Sequence, residues 1–268
     1  LGHADLIKKE TLLFIRKEYP SIKIAQWFLD RMDSEWKHNK KRFLDKINYV
    51  DCSFCTTSPD ILKFPKKNKV FYIPNPADDS FENLNIDKKK YFKNDVFFAM
   101  SHGVHRGNLK KGKFDKREKF INKLIKKTPN IKYDLYGLKN IQPIWADNFK
   151  VAVSNSKMGL NLSQGKSIKY YSSDRITQLI ANGLLTFIDK KTKLNDFFNN
   201  NEVIFYNSLK DLANKIIKYS NNDILRRRIA KNGKEKYLKY LNSKIVADFI
   251  INKTFNFKSN RKYIWLKD

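Results

Sequence analysis

Residues 169–189 read KYYSSDRITQLIANGLLTFID, which parses as a turn, a short helix and a buried strand. The turn runs through Tyr170, Tyr171, Ser172, Ser173, Asp174 and Arg175. Ser172 or Ser173 can cap the helix, because a serine hydroxyl accepts from an otherwise unpaired N–H of the first turn. Gly183 stands where a left-handed residue would end the helix. Leu184, Leu185, Phe187 and Ile188 then make a short apolar strand. A helix that begins at the carboxyl end of a strand exposes N–H groups and a positive dipole end, which suits a phosphate. Arg175 in the first turn opposes that dipole. The placement makes sense if an anion lies between them, so a nucleotide or phosphorylated ligand is expected here.

Outward from this stretch, apolar runs alternate with helical patterns. The strands read VFFAMS (96–101), IKYDLYG (131–137), KMGLNLS (157–163), LLTFID (184–189) and EVIFY (202–206). Between and after them, helices are predicted over 114–127, 148–156, 193–200, 208–220 and 222–241. Such alternation argues for a parallel sheet with helices on both faces. Ligands of such sheets bind beyond the carboxyl ends of the strands. The loops after Ser101, Gly137 and Ser163 would therefore share an edge with Arg175.

The first 90 residues carry a weaker version of the pattern. Helices are predicted over 6–19 and 34–47, and strands over 23–29, 49–57 and 69–75. The segment PNPADDSFENLNIDKKK (74–90) is polar and rich in turn residues, which suits a linker. Three parts are expected: an amino-terminal α/β domain with its linker (1–90), a ligand-binding domain (91–245), and a tail (246–268) that packs back on the first domain.

The chain holds 268 residues with a formal charge of +28. That charge invites a nucleic-acid reading. Its make-up argues otherwise: 45 Lys stand against 10 Arg, beside 28 Asn. The mixture is what A·T-rich codons produce, whereas base readers lean on arginine. The lysines are also scattered, which suits peripheral contact with an anionic membrane surface better than a groove. No run of 18 apolar residues and no secretory leader is visible, so a cytoplasmic location is expected, with contact at the inner face of the membrane. The opening Leu1, in place of Met, leaves room for a missing upstream segment.

Several constellations compete for chemistry. In SHGVHRGNLKKGKF (101–114), Gly103, Gly107 and Gly112 permit close backbone approach to a phosphate, while His102, His105, Arg106 and Lys113 add donors. No Walker ending follows. Tyr170 and Tyr171 can stack on a base or sugar, or one of them is simply buried. Asn161 and Ser163 can bond a ligand or serve ordinary turn chemistry. Cys52 and Cys55 have CxxC spacing, but within a strand an offset of three puts them on opposite faces, so neither zinc nor redox chemistry is expected. Asp78 and Asp79 read as turn residues, and His38 as a solvated side chain on a basic helix. Candidate acid–base groups are His3, Asp5, Asp33 and above all Asp30, at the carboxyl end of the strand KIAQWFL; helix capping is the alternative for the aspartates.

Across residues 95–245, the pieces SSDRITQLIANGLLTFID, LRRRIAKNGKEKYLKY and the strand end DLYG resemble the nucleotide-sugar-binding domain of GT-B glycosyltransferases, nearest the CgeB-type, group 1 branch. The resemblance implies an α/β fold of two Rossmann-like domains, the first short or truncated. It implies a nucleoside-diphosphate-sugar donor, a glycan or lipid-linked acceptor, and a role in bacterial cell-surface polysaccharide synthesis. Tyr136, Gly137, Asn161, Tyr170, Tyr171, Ser172, Ser173, Asp174, Arg175 and Gln178 would line the donor site, with His102, Gly103, Arg106 and Lys113 across from them and Asp30 and His105 as catalytic groups. Transfer would need no metal, because basic side chains and a helix end stabilise the departing diphosphate. Related retaining enzymes carry two glutamates where this chain has Tyr170 and Gln178. The competing reading is a basic module that binds nucleic acid or acidic polysaccharide without catalysis.

Overall fold

The computed structural model describes residues 6–65, 67–101 and 115–266. In chain order its elements are α1 (Lys9–Glu18), β1 (Ala25–Phe28), α2 (Lys37–Ile47), β2 (Cys52–Cys55), α3 (Pro59–Leu62), β3 (Val70–Tyr72), β4 (Asn94–Ala99), α4 (Lys116–Lys127), β5 (Tyr133–Tyr136), α5 (Ala146–Ser154), β6 (Ser156–Asn161), α6 (Arg175–Ile180), β7 (Leu185–Asp189), β8 (Ile204–Tyr206), α7 (Leu209–Ser220), α8 (Asp223–Tyr240) and α9 (Ser243–Phe255). They sort into two compact units. The first holds Leu1–Pro76, Ile168–Asp174 and Tyr240–Asp268; the second holds Ala77–Ser167 and Arg175–Lys239.

The second unit is built on a five-stranded parallel sheet of order β5-β4-β6-β7-β8. A parallel sheet must be covered on both faces, and the strand sequences supply apolar residues to both. Val96, Phe98, Met158, Leu160, Leu185 and Phe187 pack with Ile121 and Leu124 of α4, Leu212 and Ile216 of α7 and Ile229 of α8. Phe97 and Ala99 point the other way, against Ala152 and Val153 of α5 and Leu179 of α6. Gly159 in β6 makes the second packing possible, since a Cβ there would come within 2.6 Å of the Leu179 side chain. Arg226 in α8 is fully buried. Its guanidinium pairs with Asp223, donates to the Lys157 carbonyl at 3.4 Å and lies 5.2 Å from the Phe92 ring centroid. This arginine of the LRRR run thus belongs to the core.

Two segments differ from their sequence reading. Residues 74–90 do not behave as a plain linker from Ala77 onward. Ile86 is buried, and Asp87 packs against Gly183 and faces Lys234 at 3.5 Å. Phe81, Leu84 and Ile86 are spread among charged and amide side chains, too sparse a pattern to read as packing. Residues 193–200, read as a helix, form only the 3₁₀ turn Leu194–Asp196, after another at Lys190–Thr192. Lys193 between them is left-handed (φ 58°), and Asp189 accepts the Lys191 N–H locally, the competition that keeps Asp and Asn out of helix interiors. Asp78 is a turn residue as read: its carboxylate accepts from the Ser80 N–H and hydroxyl.

The first unit holds a three-stranded parallel sheet of order β1-β2-β3. On one face Cys55 joins Phe28, Met32, Phe43, Ile47 and Leu62. On the other, Phe54 and Phe71 meet Phe249 of α9 at 6.0 and 5.9 Å, and the Cys52 thiol donates to the Lys253 carbonyl. The two cysteines therefore face opposite ways. Burial raises both thiol pKa values, that of Cys55 to about 12, the reverse of what a reactive thiol needs. Helix α9 had no counterpart in the sequence reading, although Asn242 caps it by accepting the Ile245 N–H and Val246 and Phe249 recur at helical spacing. Beyond it, Tyr263 and Trp265 pack on Phe249 at 4.8 and 5.5 Å.

Two stability predictions follow from these contacts. Gly183 has φ +86°, and a Cβ there would meet the Asp87 carboxylate at 2.4 Å. Gly183→Ala should cost about 1–3 kcal/mol and lower the thermal midpoint, read by calorimetry. Asp51 is raised by burial but held below the usual carboxylate range overall by the Ile24 N–H, Arg16 and Lys23. A depressed folded pKa contributes stability that is complete above the unfolded value of about 3.9 and is lost as pH falls through the folded one. Asp51→Asn should flatten that acid limb in denaturation curves taken from pH 6 downward.

Candidate functional site

In the second unit the chain starts at β4, steps out to β5, then crosses back to β6 and continues through β7 to β8. The connection reverses between β4 and β6, and a crevice opens at the carboxyl ends of strands where such a reversal occurs. Arg175, the first residue of α6, reaches this point. Its Nε donates to the Ala99 carbonyl at the end of β4 (3.0 Å), and its Nη1 donates to the Leu162 carbonyl just beyond β6 (3.2 Å). The guanidinium carbon lies 5.3 Å from the Phe98 ring centroid. Strand-end carbonyls have run out of sheet partners, and the planar fork of an arginine can bond two at once. Arg175 is therefore a structural bridge as well as a cation at the carboxyl edge of the sheet.

Around it, the carboxyl edge is tightly specified. Asn161 ends β6 in register with Ile188 and is buried. Asp189 ends β7 and accepts the Ser167 hydroxyl at 2.7 Å. Tyr136 ends β5; burial, then the neighbouring Asp134 carboxylate, raises its hydroxyl pKa. Gly137 follows with φ +76°, and a Cβ on it would lie 1.7 Å from the Met100 carbonyl oxygen, so only glycine lets the chain leave β5 this close to the exit from β4. Gln178 is half-buried on α6, where its carbonyl accepts from Asn182. Tyr136, Gly137, Asn161, Arg175 and Gln178 all belong to the second unit.

The preceding turn does not belong to it. Residues Ile168–Asp174 form part of the first unit, held there by their backbone. The Lys169 carbonyl accepts the Ser58 N–H (3.3 Å), the Tyr170 carbonyl accepts the Tyr72 hydroxyl (3.3 Å), and the Ser172 carbonyl accepts from Asn75 (3.0 Å). Lys169 also pairs with Asp60 and lies 5.0 Å from the Tyr170 ring centroid. Burial would raise the Asp60 pKa, but Lys169 and Ser58 outweigh it and hold the carboxylate low. This pair was missed by the sequence reading; Ser58-Pro59-Asp60, a serine before a proline at the first helical position, was the available signal.

Two expectations change here. Tyr170 is buried, left-handed (φ 62°) and packed 5.2 Å from Tyr72, so it is a core residue of the first unit and not a stacking platform. Ser172 lies three residues before Arg175, the first residue of α6, and its buried hydroxyl donates to the Ser173 carbonyl. Tyr171, Ser173 and Asp174 lie in the same first-unit segment. Asp30 sits two residues past β1 with its carboxylate 3.8 Å from Arg42. The aspartate that organises the entry to α2 is instead Asp33, which accepts from the N–H groups of Glu35 and Trp36 and pairs with Arg31. His3 and Asp5, and the loop residues His102, Gly103, His105, Arg106 and Lys113, lie outside the described residues.

Residues 116–252, just over half of the chain, match the glycosyl transferase-like family. The chain belongs to that family. Among solved structures it is similar to S. aureus TarM, in complex with fondaparinux, α-GlcNAc-glycerol and UDP (16% identity, TM-score 0.57, 88% of this chain and 51% of TarM). It is also similar to Anabaena HepE in complex with UDP (9%, 0.64, 93% and 77%) and to an α-glucosyltransferase in complex with UDP and a 13-mer DNA (16%, 0.64, 92% and 75%). The chain thus spans about half the length of TarM. At these identities the likeness establishes the fold: α/β, with the Rossmann-like parallel sheets of GT-B glycosyltransferases. No curated protein sequence matches it.

Tyr170→Ala should remove a buried aromatic and cost about 3–5 kcal/mol. Chemical denaturation of the purified variant would show the loss, and nucleotide affinity measured below its midpoint should stay at the wild-type value.

Proposed function

We propose that this chain is a CgeB-type glycosyltransferase that moves a sugar from a nucleoside-diphosphate sugar to a glycan or lipid-linked acceptor. The observation that supports this best is the Arg175 guanidinium at the β4–β6 reversal, bonded to the two strand-end carbonyls. A fixed cation there, at the start of α6, suits the diphosphate of the donor.

In the transfer, the bond between the sugar's anomeric carbon and the β-phosphate oxygen breaks, and the electron pair leaves with the nucleoside diphosphate. The acceptor hydroxyl oxygen bonds the anomeric carbon and gives up its proton. Negative charge builds on the departing diphosphate, and preorganised cations stabilise that charge most. Arg175 takes this role in the proposal, joined by His105, Arg106 and Lys113, so that no metal is needed. Asn161 and Tyr171 would contact the sugar or nucleoside, and Gln178 a ribose hydroxyl. Asp30 is the proposed base. The proposed setting is the cytoplasmic face of a bacterial membrane, in the synthesis of cell-surface polysaccharide. None of the described helices is long and apolar enough to cross a membrane, so membrane contact would be peripheral and would draw on the scattered lysines.

Calorimetric titration with UDP, GDP, dTDP and CMP tests the donor site. One nucleotide should bind and raise the thermal midpoint at moderate salt. Arg175→Ala should weaken that binding about tenfold or more, equivalent to about 1.4 kcal/mol. It should also lower stability, because two carbonyls lose a charged donor worth about 1.5–3 kcal/mol each. Arg175→Lys, with one point charge in place of the fork, should fall between. Unchanged nucleotide affinity in folded Arg175→Ala would remove the assignment. Salt-sensitive binding of a DNA oligonucleotide, with no nucleotide effect, would favour the non-catalytic module instead.

A further inference from the structure

The first unit carries a basic recess at the amino-terminal edge of its sheet, the opposite end from Asp30. It is a cavity of about 280 Å³ between the end of α2 and the starts of β2 and β3. Lys67 and Lys69 line it and are exposed. Asp51 is the one carboxylate among the lining residues, and it already pairs with Arg16 at 2.7 Å and with Lys23 at 3.5 Å. The two rim lysines therefore give the recess a positive potential that no lining carboxylate offsets. The carbonyl end of α2 would oppose an anion here, but the Ile47 carbonyl already accepts from the Asn68 amide (3.3 Å). The chemistry of the recess calls for an anionic group.

Lys69 joins this recess to an apolar stripe. Its ammonium donates to the Asn256 side chain at 2.9 Å. Asn256 is left-handed (φ 57°) and ends α9. The flanking Phe255 and Phe257 rings stack with centroids 5.4 Å apart and planes 17° apart. They remain 48% and 60% exposed, and Ile251, one turn earlier on the same face of α9, is 49% exposed. The core does not use them, since Phe249 already covers β2 and β3, with Tyr263 and Trp265 packed on it. The charge along this segment is nearly of one sign. From Ser243 to Leu266 the charged residues are Lys244, Asp248, Lys253, Lys258, Arg261 and Lys262, and Asp248 is bonded by Arg261 and Tyr263.

Exposed apolar side chains and cations on one face ask for a partner that is both apolar and negative. A second copy of this chain would set lysines against the same lysines. A nucleic acid or acidic polymer would meet the lysines and leave Ile251 uncovered. The surface of an anionic bilayer offers phosphate headgroups and, a few ångströms deeper, acyl chains. We propose that Lys67, Lys69 and the Ile251–Phe255–Phe257 stripe dock the first unit on an anionic phospholipid bilayer. The lysines meet headgroup phosphates, and the two rings with Ile251 enter the boundary of the acyl layer. The choice of partner rests on the membrane setting proposed above and narrows its scattered-lysine contact to one face. Asp30, at the other end of the sheet, takes no part in the docking.

Vesicle flotation with the intact chain tests this, comparing pure phosphatidylcholine with phosphatidylcholine that holds about 30% phosphatidylglycerol. The chain should float with the mixed vesicles and not with the neutral ones. Phe255→Ala/Phe257→Ala and Lys67→Glu/Lys69→Glu should each weaken partitioning about tenfold. The first keeps the net charge, so its loss reads apolar insertion alone. Lys119→Glu/Lys123→Glu, at exposed positions of α4, makes the same charge change elsewhere and should alter partitioning less than about twofold. Four outcomes overturn the docking face: no flotation with the anionic vesicles, no loss in the aromatic variant, an equal loss from the α4 pair, or a dimer in analytical ultracentrifugation that the aromatic variant dissolves. Affinity for whichever of UDP, GDP, dTDP and CMP binds should stay within about twofold in all three variants. If no nucleotide binds while the vesicle effects hold, the donor proposal falls and the docking face stands. If a nucleotide binds and the vesicles do not, the docking face falls alone.

Discussion

The second unit depends on how a parallel sheet ends. Each strand of such a sheet leaves carbonyls at its carboxyl end that no further strand can satisfy. At the point where the chain order reverses, the strands on either side send their connections in opposite directions, which opens a crevice at that edge. Arg175 answers both facts. It supplies two N–H donors to the exposed carbonyls of Ala99 and Leu162, and it leaves a permanent cation at the mouth of the gap. Gly137 and Gly159 serve the same arrangement from below. One lets the exit from β5 press on Met100, and the other lets α6 settle onto β6. Because α6 begins with Arg175 and ends before Gly183, its position is set at one end by a guanidinium and at the other by a left-handed turn against Asp87.

Much of this was legible in the sequence because the signals are local. Alternating apolar strands and amphipathic helices placed all five strands of the second unit's sheet, and through the rule for parallel sheets they placed the carboxyl edge. Gly183 was readable as a helix stop. What could not be read was the company each residue keeps. Tyr170 looks the same in sequence whether it stacks on a ligand or fills a core, and it fills the core of the first unit. The turn and the helix that follow one another in residues 169–180 belong to different units, a division that no propensity records. Arg226 in the LRRR run reads as surface charge and is wholly buried, because its two neighbours in the pairing, Asp223 and the Lys157 carbonyl, come from a helical neighbour and a distant strand.

Charge shows the same limit from the other side. A formal charge of +28 is a property of composition, yet its physical meaning depends on where the cations are used. Arg16, Arg31, Arg117, Arg226 and Arg261 are each paired with an aspartate. Among the lysines, Lys157, Lys169, Lys215, Lys234 and Lys236 make ion pairs with carboxylates. The other lysines are scattered along the sequence and raise the potential around the whole molecule. Arg175 is one well-held cation at a backbone edge, fixed by two strand-end carbonyls. A duplex groove reader needs an array of forks aimed at base edges, whereas the five arginines above and Arg175 are bonded to aspartates or carbonyls.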